Sequence, residues 1–175
     1  EKADAISQAA EAIKALRPLL YRATADNVDA FAEVAAKHKL PLAVHGKDLE
    51  DLEGLSLKAK EKGVEEMILS FSGKNVGDTI RNLTIARRAA LKKQHRPFGY
   101  PSMVELEEES SEMETILAAT YAAKYGGIVL IKGSEPWELL PIMTIVQDVY
   151  TDPQVPNTVE AKLYEIGNVT ENSPV

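Results

Sequence analysis

Hydrophobic positions along this chain alternate between two rhythms. Ala5, Ile6, Ala9, Ala10, Ile13 and Leu16 recur every three or four residues, which places them on one face of a helix. Arg17-Pro18 ends it, because proline disfavours helical geometry in the residue before it. The continuous apolar run Leu19-Leu20-Tyr21 then reads as a buried strand. Thr24 or Asp26 caps a second helix carrying Val28, Phe31, Val34 and Ala35. The strand Pro41-Leu42-Ala43-Val44-His45 follows. Asp48 opens a third helix through Leu49, Leu52, Leu55 and Ala59, which Gly63 closes as a left-handed cap.

The alternation continues with the strand Glu66 to Phe71, a Ser72-Gly73-Lys74-Asn75 turn, and a long helix through Val76, Ile80, Leu83, Ala86, Ala90 and Leu91. The last turn of that helix is basic (Arg87, Arg88, Lys92, Lys93), which suits the negative end of a helix dipole. A weaker strand is predicted near Pro97-Phe98-Gly99-Tyr100. After an acidic run from Glu105 to Glu112 comes a helix through Met113, Ile116, Leu117 and Tyr121, broken by Gly126-Gly127. Ile128-Val129-Leu130-Ile131 is the clearest strand. Ser134-Glu135-Pro136 starts another helix, with proline well placed in its first turn and Pro141 expected to kink or restart it. Ala161 to Ile166 is the last strand candidate.

Apolar strands alternating with helices specify a parallel sheet covered by helices. Two architectures satisfy this: a doubly wound open sheet, or part of an eight-stranded barrel. A whole barrel usually takes about 250 residues, more than the 175 present. A chain that starts inside a helix and ends just after a strand reads as the later five-eighths of a barrel.

Composition narrows the chemistry. With 45% hydrophobic residues the chain can bury a core. It has no Cys, which excludes disulfides, thiolate zinc sites, Cys-ligated clusters and cysteine nucleophiles within these residues. The three histidines, at 38, 45 and 95, are too far apart for a helical metal pair, and no metal site is expected. A net charge of −7 argues against nucleic acid as partner. No apolar run approaches the roughly 20 residues of a membrane span, and the pattern is that of a cytoplasmic domain.

Individual motifs carry little. Ser72-Gly73-Lys74-Asn75 lies where a phosphate meets a helix N-terminus, but lacks the glycine spacing of a phosphate loop; a plain βα turn is favoured. His45 directly follows a strand, at the rim where barrels place catalytic groups, although a polar rim residue or satisfied structural histidine is the favoured reading. His38 and His95 read as solvated cations at helix ends. The acidic run reads as a solvated loop with Ser110 or Ser111 as N-cap, and the apolar stretch Trp137 to Tyr150 as core with a share left for a partner. No Ser-His-Asp set, paired carboxylates or dinucleotide fingerprint occurs, so no catalytic residue is assigned. A stand-alone barrel or open-sheet enzyme acting on a small anionic or pterin substrate would draw on the strand-end residues His45, Lys74 and Tyr100, with Asn75 or Asn168 as pterin-gripping groups.

A set of ordered stretches points elsewhere. Arg17-Pro18-Leu19-Leu20-Tyr21, Asn82-Leu83-Thr84-Ile85-Ala86-Arg87-Arg88, Phe98-Gly99-Tyr100-Pro101, Ala122-Ala123-Lys124-Tyr125-Gly126, Tyr150-Thr151-Asp152-Pro153 and Leu163-Tyr164-Glu165-Ile166-Gly167-Asn168 recur in sequence here. Together they resemble the barrel domain of the large (gamma) subunit of the corrinoid iron-sulfur protein of the acetyl-CoA synthase/decarbonylase (CO dehydrogenase) system. The resemblance implies α/β architecture with about five strands of a TIM-like barrel over 1–168, incomplete at its N-terminal side. Residues 169–175 would begin a linker to a C-terminal corrinoid domain. It implies a methyl carrier that takes a methyl group from methyl-tetrahydrofolate or methyl-tetrahydropterin and passes it to acetyl-CoA synthase. The expected partners are a small subunit, a methyltransferase, acetyl-CoA synthase/CO dehydrogenase and the remainder of its own polypeptide. A corrinoid and a [4Fe-4S] cluster would belong to the full-length protein, and none to this segment.

Overall fold

The structure, a computed structural model, describes residues 2–106 and 110–150. Five parallel strands form one sheet: β1 (Leu20–Ala23), β2 (Leu42–His45), β3 (Met67–Phe71), β4 (Ser102–Glu105) and β5 (Ile128–Leu130). Six helices punctuate them: α1 (Lys2–Ile13), α2 (Val28–His38), α3 (Leu49–Glu61), α4 (Val76–Lys92), α5 (Ser111–Ala123) and α6 (Pro136–Tyr150). The strands lie side by side in chain order. A doubly wound sheet reverses its order at a switch point; this one does not. Since parallel crossovers are right-handed, a sequential order places every helix on one face, which is the winding of a barrel wall.

The core lies between the sheet and its covering helices. Leu42, Ala43 and Val44 of β2 and Leu69 of β3 are wholly buried, and Leu42, Val44 and Leu69 pack with Leu52, Ala59 and Leu83 from the covering helices. The local signals account for most boundaries. Asp48 accepts a hydrogen bond from the Asp51 N–H at 2.8 Å and starts α3, while Gly63 takes φ +90° just past its end. Asn75 accepts from the Asp78 N–H at 2.9 Å and starts α4. Ser110 caps α5 through the Met113 N–H.

Four expectations change. The strand predicted near Pro97–Tyr100 is a short 3-10 helix, Arg96–Phe98, and the strand begins later, at Ser102. Pro97 and Pro101 explain this: each lacks an N–H for a ladder, so pairing starts beyond them. The N-cap of α2 is Asn27 rather than Thr24 or Asp26; its side chain accepts from the Thr24 N–H at 2.7 Å instead of capping the helix. His38 is not solvated. Its side chain is buried against α1, with Nδ1 3.1 Å from Glu11 Oε2. His95 contacts Glu53 Oε1 at 3.0 Å and packs on Phe98. The strand candidate Ala161–Ile166 and the proposed linker 169–175 lie outside the described residues, while α6 runs through Pro141 as one helix.

Candidate functional site

The polar side chains that converge are at the carboxyl-terminal end of the sheet, on β1 to β4. Strand β1 opens the cluster through an irregularity: Leu20 pairs with Leu42 but Ala23 with Val44, so three steps in β1 match two in β2. Such an extra residue re-aims side chains that would otherwise alternate. Here Tyr21 and Arg22, consecutive in sequence, reach the same carboxylate. Tyr21 donates its hydroxyl hydrogen to Glu105 Oε2, and Arg22 Nη1 donates to that oxygen at 3.0 Å and to Tyr21 Oη at 3.2 Å.

That contact also reports the shape of the sheet. Three inter-strand spacings separate β1 from β4, about 14 Å in a flat sheet. Side chains stand roughly perpendicular to a sheet, so they converge only where the sheet curls towards them. The Tyr21–Glu105–Arg22 contact thus marks the inside of a curved wall.

Between these strands stand His45 and Ser70, which are register partners on β2 and β3. His45 Nδ1 lies 3.0 Å from Ser70 Oγ. Gly46 follows immediately, and a side chain there would meet the Leu52 backbone nitrogen at 2.4 Å, so only glycine lets α3 come this close behind the mouth. Burial pushes the His45 imidazole below its ordinary value, and the neighbouring Arg22 cation pushes the same way against Glu105 and Asp51. The ring is therefore neutral at pH 7. Burial, with the bond to Glu105, raises the Tyr21 phenol. Arg22, His45, Ser70, Phe71, Ser72 and Glu105 line an open cavity of about 290 Å³. Chemically this is a small polar mouth with one cation, one anion and one neutral imidazole.

Of the described residues anticipated from sequence, only His45 belongs to it. Lys74 is at the correct end but exposed in the β3–α4 turn, outside the cavity lining. Tyr100 is at the opposite end. It precedes β4 and lines a separate groove of about 750 Å³ with Arg87, Leu91, Phe98 and Tyr125. The displaced strand is the cause: once pairing starts at Ser102, Tyr100 enters the strand and Glu105 leaves it. Asn168 lies outside the described residues. Tyr21, Arg22, Ser70 and Glu105 were not anticipated. Their signal is position alone, since each ends a strand or comes within two residues of its end. Glu105 was hidden in an acidic run that reads as solvent-facing.

Beside the mouth, a second polar device fixes the β5–α6 connection. The buried carboxylate of Glu114 on α5 accepts from the N–H groups of Lys132 at 2.9 Å and Gly133 at 2.8 Å. Buried Glu138 reaches back to the Glu135 N–H at 2.8 Å, which is half of a capping box. Among the described residues no group of three or more His, Asp or Glu side chains is placed to hold a metal ion.

Comparison with known proteins places this geometry. The family model described as the CO dehydrogenase/acetyl-CoA synthase delta subunit matches residues 1–175. The chain belongs to this family. Its curated relatives carry gamma-subunit or large-subunit names. The acetyl-CoA decarbonylase/synthase complex subunit gamma of Methanothermobacter thermautotrophicus is 36% identical over 98% of this chain and 40% of its own length. The corrinoid/iron-sulfur protein large subunit of Moorella thermoacetica is 38% identical over 98% of this chain and 39% of its own. The gamma subunit of Methanopyrus kandleri is 38% identical over 91% and 37%. The chain thus spans about two fifths of the length of these relatives. In this member of the CO dehydrogenase/acetyl-CoA synthase family, no helix among the described residues is long and apolar enough to cross a membrane.

Proposed function

We propose that this chain is the barrel-wall portion of a corrinoid iron-sulfur methyl carrier, and that it serves as the frame on which the cofactor-bearing parts are mounted. The match of the family model along all 175 residues carries this reading. In it, the whole protein accepts a methyl group from methyl-tetrahydrofolate or methyl-tetrahydropterin through a methyltransferase and delivers it to acetyl-CoA synthase. It pairs with a small subunit and works in the cytoplasm.

The residues described do not fit a corrinoid, and the sequence does not fit a cluster. A [4Fe-4S] cluster is held by thiolates, and the sequence contains no Cys. A corrinoid is a macrocycle, whereas the cavity at His45 is just below the roughly 300–1,000 Å³ of ordinary small-molecule pockets. The larger groove at Tyr100 has no imidazole in its lining. Both cofactors are accordingly assigned to other parts of a longer polypeptide, and this portion to support.

The wall itself favours such support. Strands β1 and β5 each have a neighbour on one side only among the described residues. A parallel sheet is normally covered on both faces and closed or shielded at its edges. The remainder of the polypeptide is the proposed closure.

Purification of the protein from its native source tests the reading by mass and absorption spectrum together. The expected result is a polypeptide larger than 175 residues with corrinoid and iron-sulfur bands; a colourless protein of only this length overturns it. In the assembled carrier, His45→Ala should leave methyl transfer within about twofold. A loss of about a hundredfold, the scale of a missing general acid–base group, would instead support a stand-alone enzyme.

A further inference from the structure

The mouth cavity has a hydrogen-bonding inventory that its own residues leave unfilled. Ser70 is 1% exposed, and among the described residues its hydroxyl has one partner, His45 Nδ1. A buried hydroxyl hydrogen needs an acceptor. Ser70 therefore donates to Nδ1, which assigns the ring proton of neutral His45 to Nε2 and makes that nitrogen a donor. Arg22 uses only Nη1, so its Nε and Nη2 remain unpaired among the described residues. Glu105 uses only Oε2, accepting from both Tyr21 and Arg22, and leaves Oε1 as an unpaired acceptor. Both side chains line the cavity and are about one-third exposed.

The charges decide between ligand classes. Arg22 and Glu105 cancel, and His45 is uncharged. A bound anion would approach the Glu105 carboxylate, and a bound cation the Arg22 guanidinium. A neutral molecule with an N–H beside a C=O satisfies the whole set. Its N–H donates to Glu105 Oε1, and its carbonyl, with two lone pairs, accepts from Arg22 and from His45 Nε2–H. The 290 Å³ volume limits it to about a single ring. We infer that the mouth of this wall is a binding site for a small neutral amide, urea or single-ring lactam. The site stands apart from the proposed methyl-carrier role, since none of its residues is assigned a part in that role.

The test is a titration of the full chain with 2-pyrrolidone, with acetate and methylammonium as the anionic and cationic counterparts, following the His45 imidazole ¹⁵N resonances at pH 7.5. Saturable binding of 2-pyrrolidone that shifts Nε2, without saturation by either ion, is the expected result. Glu105→Gln should weaken that binding about tenfold or more, the scale of a lost hydrogen bond to a charged group. Lys74→Ala, outside the cavity, should leave it unchanged. Because Glu105→Gln also loosens a cross-sheet contact, the wild-type titration stands as the independent arbiter. Saturation by acetate alone, by methylammonium alone, or by none of the three overturns the inference. Each of those outcomes leaves the scaffold reading intact, since that is judged by mass and cofactor spectrum.

Discussion

The middle and one edge of the same sheet are held together by different means. In β2 and β3 the stabilisation is burial: Leu42, Val44 and Leu69 have no solvent contact, and helices α2 to α4 close over them. In β5 and α6 burial is partial, with Val129 and Ile142 packed against the core, and polar bonds add to it. All three residues of β5 retain partial exposure, and α6 presents Trp137, Leu140 and Met143 at 52%, 66% and 67% exposure. What anchors that end is the Glu114 carboxylate on two backbone N–H groups and the Glu138 loop-back. The contrast teaches that a repeating βα pattern does not imply repeated energetics. The interior repeats rest on burial, and the last one adds a clamp to partial burial.

The strongest challenge to this contrast is a matched pair of truncations. Leu69→Ala should destabilise the protein by about 3 kcal/mol, within the range for buried leucines. Leu140→Ala should change stability by no more than about 0.5 kcal/mol, as for an exposed site. Urea unfolding of both variants measures the two, and equal losses would erase the distinction.

Next in size is the clamp. Glu114→Ala removes two hydrogen bonds to a buried carboxylate and should cost about 2 kcal/mol. Amide exchange should accelerate at Lys132 and Gly133 well before it changes at Leu42 or Leu69. Uniform acceleration across the sheet would mean that the clamp is not local.

A cap on the well-buried side gives a smaller effect. Asp48→Ala should cost about 1 kcal/mol through loss of the bond to the Asp51 N–H, while Asp48→Asn should recover most of it. Failure of asparagine to recover it would show that charge, rather than capping, matters there.

The smallest effect concerns the mouth. The folded-state value of His45 is below its unfolded value of about 6.5, so the unfolded chain binds the proton more readily. The corresponding stability is complete above about pH 6.5 and is lost as pH falls through the folded value. Urea midpoints measured from pH 8 to pH 5 should decline, and His45→Gln should flatten part of that decline. An unchanged profile would show that His45 stays solvated.

The wall was largely legible because its signals are local. Asp48, Asn75, Ser110 and Gly63 act within a turn of themselves, and apolar runs such as Leu42–Val44 identify strands without reference to partners. The strand error at 97–100 arose where Phe98 and Tyr100 imitate strand composition while two prolines withhold donors. The mouth was only partly legible. His45 follows an obvious strand, but Tyr21, Arg22 and Glu105 meet across three strands and through a register irregularity. Neither composition nor spacing encodes such a meeting. Glu114 illustrates the same limit, since a carboxylate near other carboxylates gives no hint that it turns inward. Family resemblance supplied what periodicity lacked, namely membership of the CO dehydrogenase/acetyl-CoA synthase family.

The extra residue in β1 acts as a change of phase. Before it, the strand's parity is set by Leu20 and its contact with β2; after it, the parity is that of Ala23. The mouth is thus specified by chain length as much as by residue identity. A variant that lost one position between Leu20 and Ala23, yet kept a tyrosine or an arginine there, would regain an even ladder and lose the meeting point with Glu105. Related chains that keep His45, Ser70 and Glu105 but are one residue shorter in this strand would share the wall without sharing its mouth.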